Sequence, residues 1–558
     1  MSSDQSRWRV RRFDEDHFEH PRSEAELVAL IQRARAEHAQ LRVRGSAHSV
    51  AAAVYTDAFD PETGPHQHGA PVINVMLDKY RKLTFFETAG VHYVTVEAGR
   101  NLGSDPYGPG HTPGDDEGLV HALAARGLAL PVLGGISHQT LSGFLSTGSA
   151  GASVQHGFHQ AITAIRILDG LGNAHDLTPA DPEFAHVGVS LGLLGILSSV
   201  TLRLEPEYVI RGWTSVQRAA DCEIDLFGDG DATRPSLRAF FETTPYARLL
   251  YWPQKGVDRV EIWTATREPK APGWKPKPYR QFTTAPFLMQ WFVRFLYTRV
   301  LPRIDLVPGD ADAAMAEAWL RDTINEGFAD SGLGAPTLTG PMVDPMIDAL
   351  SEALAEMDDG VDSVKEILVR EIIRVVIALS PKHAGKYKRA PFTDTWYEGL
   401  PHDNQMDDQL MPILFTELWV PLTRTAEVMR ALRDFWSAGG LDATGTFATE
   451  IYAAPASPFT LSAAQGTPVL RVDPFVFWRE DATPELDYFP AYWELLKAFD
   501  ARFHWGKTLS APGSSTGVAH RRDKCGAVAW DAWKAQRAAW DPDGVFMNAY
   551  WRAHLGLP

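Results

Sequence analysis

GLALPVLGGISHQTLSGFLSTG, residues 127–148, is the stretch on which the reading of this chain turns. Glycine, serine and threonine crowd in behind a short apolar run, so the backbone can approach a ligand closely and hydroxyls stand ready to contact it. An earlier segment has the same character. Leu41–Arg44 reads as a short strand that runs into Gly45-Ser46-Ala47-His48-Ser49. A strand feeding a loop of small residues brings backbone N–H groups to its end, an arrangement suited to phosphate.

Around these two loops the chain alternates strand and turn. Residues 21–40 read as an amphipathic helix, with Ser23 placed to cap it and Leu27, Leu30 and Ile31 on one face. VINVML, KLTFFE and HYVTVEAG predict strands between 72 and 98, and 101–116 a Gly/Pro-rich loop insertion before the helix EGLVHALAARGL. ITAIRILD and SSVTLRLEP close a first unit near residue 205. Beyond it the pattern changes to mixed strands and longer helices, with DPMIDALSEALAEM, EILVREIIRVVIAL and TAEVMRALRDFWSAGG read as helical. A second α+β unit laid over the first is the expectation.

Composition narrows the class. A chain of 558 residues, 45% hydrophobic, can bury more than one core. The formal charge of −17 excludes the basic surface that nucleic acid requires. The two cysteines, Cys222 and Cys525, are too few for a disulfide framework or a thiolate cage, and fit a cytoplasmic protein. The N-terminal arginines precede no apolar stretch, so no secretion signal is read there. No run is long and apolar enough to span a membrane. The segment 283–302, aromatic residues broken by Arg294 and Arg299, reads either as a membrane-facing surface or as a buried helix.

Five motifs in order carry a family resemblance: VRGSAHS at 43–49, the 127–148 stretch, LGLLGILSSVTLRLEP at 191–206, HWGK at 504–507 and DPDGVFMNAYWR at 541–552. Together they resemble the vanillyl-alcohol-oxidase-type flavoproteins, in the aldonolactone and alditol oxidase branch. WYEGLPH at 396–402 and FTELWVPL at 415–422 are islands of likeness between them. The resemblance implies an α+β fold with an FAD-binding domain over 1–205, a substrate-binding cap over 206–484 and a C-terminal segment, 485–558, returning to the FAD domain.

The resemblance also implies roles. His48 would bond covalently to the FAD, within the loop Arg44, Gly45, Ser46, Ala47, His48, Ser49. Gly134, Gly135, Ser137, Thr140, Gly143, Ser146, Thr147 and Gly148 would cradle pyrophosphate and isoalloxazine. Ile196 would make a backbone contact on the adenine side, and His504, Lys507 and Asn548 would complete the cofactor site. Lys507 and Glu450 would serve the reacting alcohol, with Thr140 keeping the hydroxyl of a substrate-side serine. Tyr452 stands where relatives carry an arginine, and a phenol can hydrogen-bond but not supply positive charge. Phe415, Phe475, Val476 and Phe477 replace polar residues and suggest a pocket less polar than a polyol site.

The implied reaction oxidises a CH–OH donor, with hydride passing to the flavin and electrons to O₂, giving H₂O₂. Its substrate would be a sugar-derived alcohol or lactone, or a more hydrophobic alcohol. A dehydrogenase using a quinone or another acceptor is the rival within the enzyme class. A catalytically idle flavin-fold scaffold is the rival outside it, and the joint presence of His48, Glu450 and Lys507 argues against that. No metal role is expected.

Overall fold

Short-range signals set the entry to the first domain. In the computed structural model, which describes residues 18–60, 64–65, 71–104, 118–279, 286–307, 313–330, 364–378, 389–400, 411–477 and 483–557, helix α1 spans Glu24–Glu37. Its cap is Ser23, whose side chain accepts from the Glu26 N–H, and it buries Leu27, Leu30, Ile31 and Ala34. It ends at His38 in a left-handed conformation, which turns the chain into strand β1, Gln40–Arg44. Strand β1 pairs in parallel with β2, Val72–Met76, so that Arg44 faces Met76 and the His48 loop leaves from the strand's end.

Strands β3 (Leu83–Thr88), β4 (Val91–Glu97), β5 (Ile162–Leu168), β6 (Ala174–Leu177) and β7 (Ile196–Arg203) form one antiparallel sheet, in the order β3-β4-β7-β5-β6. The insertion at 105–117 and the helix read at 344–357 lie outside the described residues.

The cap is a larger antiparallel sheet. Its strands are β8 (Tyr208–Arg218), β9 (Tyr246–Trp252), β10 (Arg259–Pro269), β11 (Ala390–Thr395), β12 (Ile413–Phe415), β13 (Leu418–Pro421), β14 (Thr449–Ala454), β15 (Val469–Phe477) and β16 (Arg502–Phe503). They run in the order β11-β8-β10-β9-β14-β15-β13-β16, with β12 also on β15. Because side chains alternate along a strand, one face collects Leu249, Ile451, Leu470 and Val472. These join the main apolar core with Leu432 and Trp436 of the helix Thr425–Thr444 and Phe489 and Leu496 of the helix Phe489–Lys497. The other face is left for a cavity.

Two expectations change here. The C-terminal segment does not return directly: Arg502–Phe503 first pairs with Leu418–Trp419 as the edge strand of the cap sheet. Only afterwards do the helices Ala527–Trp540 and Ala549–Leu555 dock on the first domain, tied by Leu41 N–H to Val545 O and Trp551 Nε1 to Ala53 O. Of the 283–302 segment, the described residues 290–302 form a largely buried cap element. Phe292, Phe295, Leu296, Tyr297 and Val300 pack with Leu320, Ile367, Leu368 and Ile372 in a second core, and the Tyr297 ring stacks on Phe477. These aromatics are covered, which favours the buried-helix reading of the segment. Among the described residues no helix is long and apolar enough to cross a membrane.

Candidate active site

Ala47 carries φ of 59°, a left-handed conformation that costs a non-glycine residue energy and here turns the loop at His48. His48 lines two adjoining cavities, one toward the cap sheet and one within the first domain. Its Nε2 is buried and has no hydrogen-bond partner. Burial holds the imidazole well below its usual range, with His138, Lys507 and Arg44 pushing the same way. The ring is therefore neutral at physiological pH and keeps a nucleophilic lone pair.

The first-domain cavity is walled by both small-residue loops. Gly45, Ser46, Ser49, Thr140, Gly143, Ser146, Thr147 and Ile196 line it, and Ala47 borders both cavities. The loops touch: a side chain at Gly45 would collide with the Thr140 hydroxyl. Ser46 donates to the His138 carbonyl, and Asn101 donates to both that carbonyl and Ser46. Buried Arg42 holds the floor by donating to the carbonyls of Ala53, Leu191, Gly192 and Phe546. Gly134 and Gly135 line the cap-side cavity, and a Cβ on Gly135 would meet nothing within 4 Å. The backbone there faces open space, as close approach of a flat ring requires.

Four residues expected at the cofactor stand behind these walls. Asn548, fully buried, caps the last helix by accepting from Trp551 N–H and donates to Ala52 and Tyr55 carbonyls. Its amide is spent on structure, so it is a positioning residue rather than a ligand. Ser137 is buried against Gly103, and Gly148 turns at φ of 75° against Val189. Arg44 donates to the Gly45 carbonyl and acts on His48 through its charge. Thr140 is also displaced from its expected substrate role: its hydroxyl caps the helix Leu141–Ser146 by accepting from Gly143 N–H, on the far side of the His48 loop from Glu450.

Opposite the loops stands the charged end of the cap sheet. Cross-strand register places Arg248 (β9), Tyr452 (β14) and Arg471 (β15) in one row, and Leu250, Glu450 and Asp473 in the next row on the same face. Glu450 pairs with Arg248 at 3.4 Å, both nearly inaccessible to water. Arg471 donates to Glu417 and to the Tyr452 hydroxyl, and reaches the Ala150 carbonyl at 3.0 Å. The Tyr452 hydroxyl donates to Asp473 Oδ2 at 2.8 Å. Its proton is thus committed, and its remaining lone pair can accept from a substrate hydroxyl.

Burial pushes the Glu417 carboxyl up, but Arg471, His504 and Lys507 outweigh it and hold it below the usual carboxylate range. Burial and the negative Glu417 raise Asp473 well above that range, so it stays protonated beside an ionised neighbour. His504 is pushed down to about 4, chiefly by burial. Its Nδ1 accepts from Gly506 N–H, which leaves the proton on Nε2, facing Ser149 Oγ at 3.3 Å. The Lys507 ammonium lies 4.1 Å from the Phe415 ring centroid, at the cavity wall shared with His48.

Arg248, Arg471, Glu417, Glu261 and Asp473 were not singled out from the sequence. The usable signal was alternation: in VLRVDPFVF, Arg471, Asp473 and Phe475 share one face of a strand. Among the described residues no cluster of His, Cys, Asp or Glu could hold a metal ion.

Comparison with known proteins agrees with this geometry. Residues 362–554 match the family described as D-arabinono-1,4-lactone oxidase. The D-arabinono-1,4-lactone oxidase of Yarrowia lipolytica is 29% identical over 287 residues, 50% of this chain and 45% of that protein. That of Saccharomyces cerevisiae is 32% identical over 202 residues, 35% and 33% of the two chains. An alditol oxidase of Streptomyces sp. is 30% identical over 93 residues, 16% of this chain and 22% of that one. The matches thus span less than half the length of these curated relatives. A cholesterol oxidase from B. sterolicum aligns with a TM-score of 0.60 at 14% identity, covering 96% of this chain and 93% of that one, which shows the fold alone.

The fold and the paired loops resemble those of vanillyl-alcohol-oxidase-type flavoproteins, and the residues lining the two cavities fit FAD. Over the matched stretches the chain is similar to the aldonolactone and alditol oxidases.

Proposed function

We propose that this chain is an FAD-dependent oxidase of an alcohol, with the flavin held covalently by His48. The carrying observation is His48, which lines both cavities with a buried, neutral imidazole whose Nε2 has no hydrogen-bond partner among the described residues. Bound there, FAD would supply a hydride acceptor for a CH–OH carbon and a route for the electron pair to dioxygen, which with two protons would give hydrogen peroxide.

The chain's own residues bind and orient the alcohol. Glu450 accepts from its hydroxyl beside Tyr452, Arg248 holds the Glu450 carboxylate in place, and Lys507 and Arg471 supply positive charge at the cofactor end. Thus the charge absent at 452 is supplied by Arg471, from the neighbouring strand. The names of the relatives support a sugar-derived alcohol or lactone as the starting substrate class.

The test is to precipitate the purified protein in acid and record the flavin spectrum of pellet and supernatant, then to assay peroxide against polyols, aldonolactones and simple alcohols. Flavin in the pellet with alcohol-dependent peroxide supports the proposal. Flavin in the supernatant removes the His48 bond, and turnover seen only with a dye acceptor in place of O₂ removes the oxidase reading.

A further inference from the structure

The cap-sheet face changes character along its strands. Nearest the flavin loops lies the row of Arg248, Tyr452 and Arg471, the last bonded to Ala150 in the second loop. Two residues along come Leu250, Glu450 and Asp473. Two further come Trp252, Ala448 and Phe475, where the Phe475 N–H bonds to the Ala448 carbonyl. Each step of two residues advances roughly 7 Å. Within about two steps the wall passes from three polar side chains to a row whose one polar side-chain atom is the Trp252 indole nitrogen.

The cavity continues over that apolar row. Val293, from the helix Pro286–Phe295, and Met411 close it from the other side, so the segment between β10 and β11 builds its roof. The aromatic wall extends back to the charged end: Phe475 meets Phe415 edge-on at 5.0 Å, and Phe415 underlies Lys507. Hydroxyls of a polyol laid along this cavity would leave water and find few partners beyond Glu450: the Trp252 indole N–H in the row itself, and Glu261 and Tyr279 beside it.

We infer that the substrate is an alcohol with an apolar body: its hydroxyl carbon sits at Tyr452 and Glu450, and its hydrocarbon portion lies in the chamber of Trp252, Ala448, Phe475, Val293 and Met411. This rests on the oxidase reading above and narrows its substrate class away from free polyols. The two polar rows select the reacting hydroxyl, and the chamber supplies binding energy remote from it, which can be used to orient the reacting carbon.

The experiment is a homologous series, linear primary alcohols from ethanol to decanol, set against xylitol and glucitol. It is read by peroxide formation and by anaerobic bleaching of the flavin band. The expected result is kcat/KM rising by up to about fourfold per methylene through the middle of the series, with the longer alcohols well above the polyols. Phe475→Gln should flatten that rise, whereas Phe475→Leu, which keeps an apolar surface, should retain it and show that a variant chain folds. A flat series with polyols preferred, or a rise untouched by Phe475→Gln, overturns the inference and leaves the oxidase reading standing. No bleaching by any alcohol in a flavin-loaded protein overturns both.

Discussion

Arg471 lies directly across the sheet from Tyr452, with its guanidinium carbon 3.6 Å from the centre of the phenol ring and its Nη2 bonded to the phenol oxygen. The same guanidinium is bonded through Nε and Nη2 to Glu417, and a third hydrogen bond, from Trp419 Nε1 at 2.8 Å, holds the carboxylate in place. One buried cation therefore orients the residue that faces the substrate and neutralises a carboxylate that water cannot reach.

Removing that cation should be costly. Arg471→Met leaves Glu417 charged and buried, which destabilises a protein by about 3–5 kcal/mol. Denaturant unfolding should show a loss of that order, and the double change Arg471→Met with Glu417→Gln should recover part of it. A single variant as stable as the parent would mean that Glu417 is not ionised in the folded protein.

His48→Ala should release all flavin into the acid supernatant, whereas His504→Ala should leave it in the pellet. The distinction follows from the two imidazoles: Nε2 of His48 has no partner, while both nitrogens of His504 are engaged, with Gly506 and Ser149. Equal release from both variants would sink the assignment of the bond.

Acid should weaken the fold through His504. Its folded pKa is depressed to about 4, below the usual value near 6.5, so between those pH values the unfolded chain binds the extra proton. The stability it contributes is fully present above about pH 6.5 and is lost as pH falls toward 4, by roughly 3 kcal/mol in the limit. Asp473 runs the other way, because its raised pKa favours the fold on acidification. The informative quantity is therefore the parent-minus-His504→Asn difference in unfolding free energy at pH 7 and pH 4.5. If that difference stays constant between the two pH values, the buried neutral imidazole is refuted.

Asn548→Ala should lower stability without freeing flavin. Loss of the helix cap costs about 1 kcal/mol, and the carbonyls of Ala52 and Tyr55 each lose a donor, adding about 1–3 kcal/mol. Unfolding midpoints and acid-pellet spectra on the same preparation check both halves. Flavin appearing in the supernatant would restore Asn548 to the cofactor site.

What could be read along the chain was local. The strand into VRGSAHS, the cap at Ser23, the glycine-crowded 127–148 stretch and the long helices each depend on a few neighbouring residues, and the structure places them accordingly. A motif shows that a residue is near a site, not which way its side chain points: the Asn548 amide bonds to Ala52, Tyr55 and Trp551. The Thr140 hydroxyl likewise accepts from the helix that starts beside it.

By itself the sequence determined the α+β class, the two small-residue loops, the candidate His48 and the family that these resemble. Only the tertiary structure decided that Arg471 lies across the sheet from Tyr452, that Arg248 partners Glu450, and that the charged wall gives way to a largely apolar chamber. It also decided that Phe292, Phe295 and Tyr297 are covered by the cap's own core. The reason is physical. Loop and helix signals are carried by residues a few positions apart, whereas Arg248, Glu417, Glu450 and Arg471 meet only when strands far apart in sequence align in register. A register shift of one residue would turn each of these side chains to the opposite face.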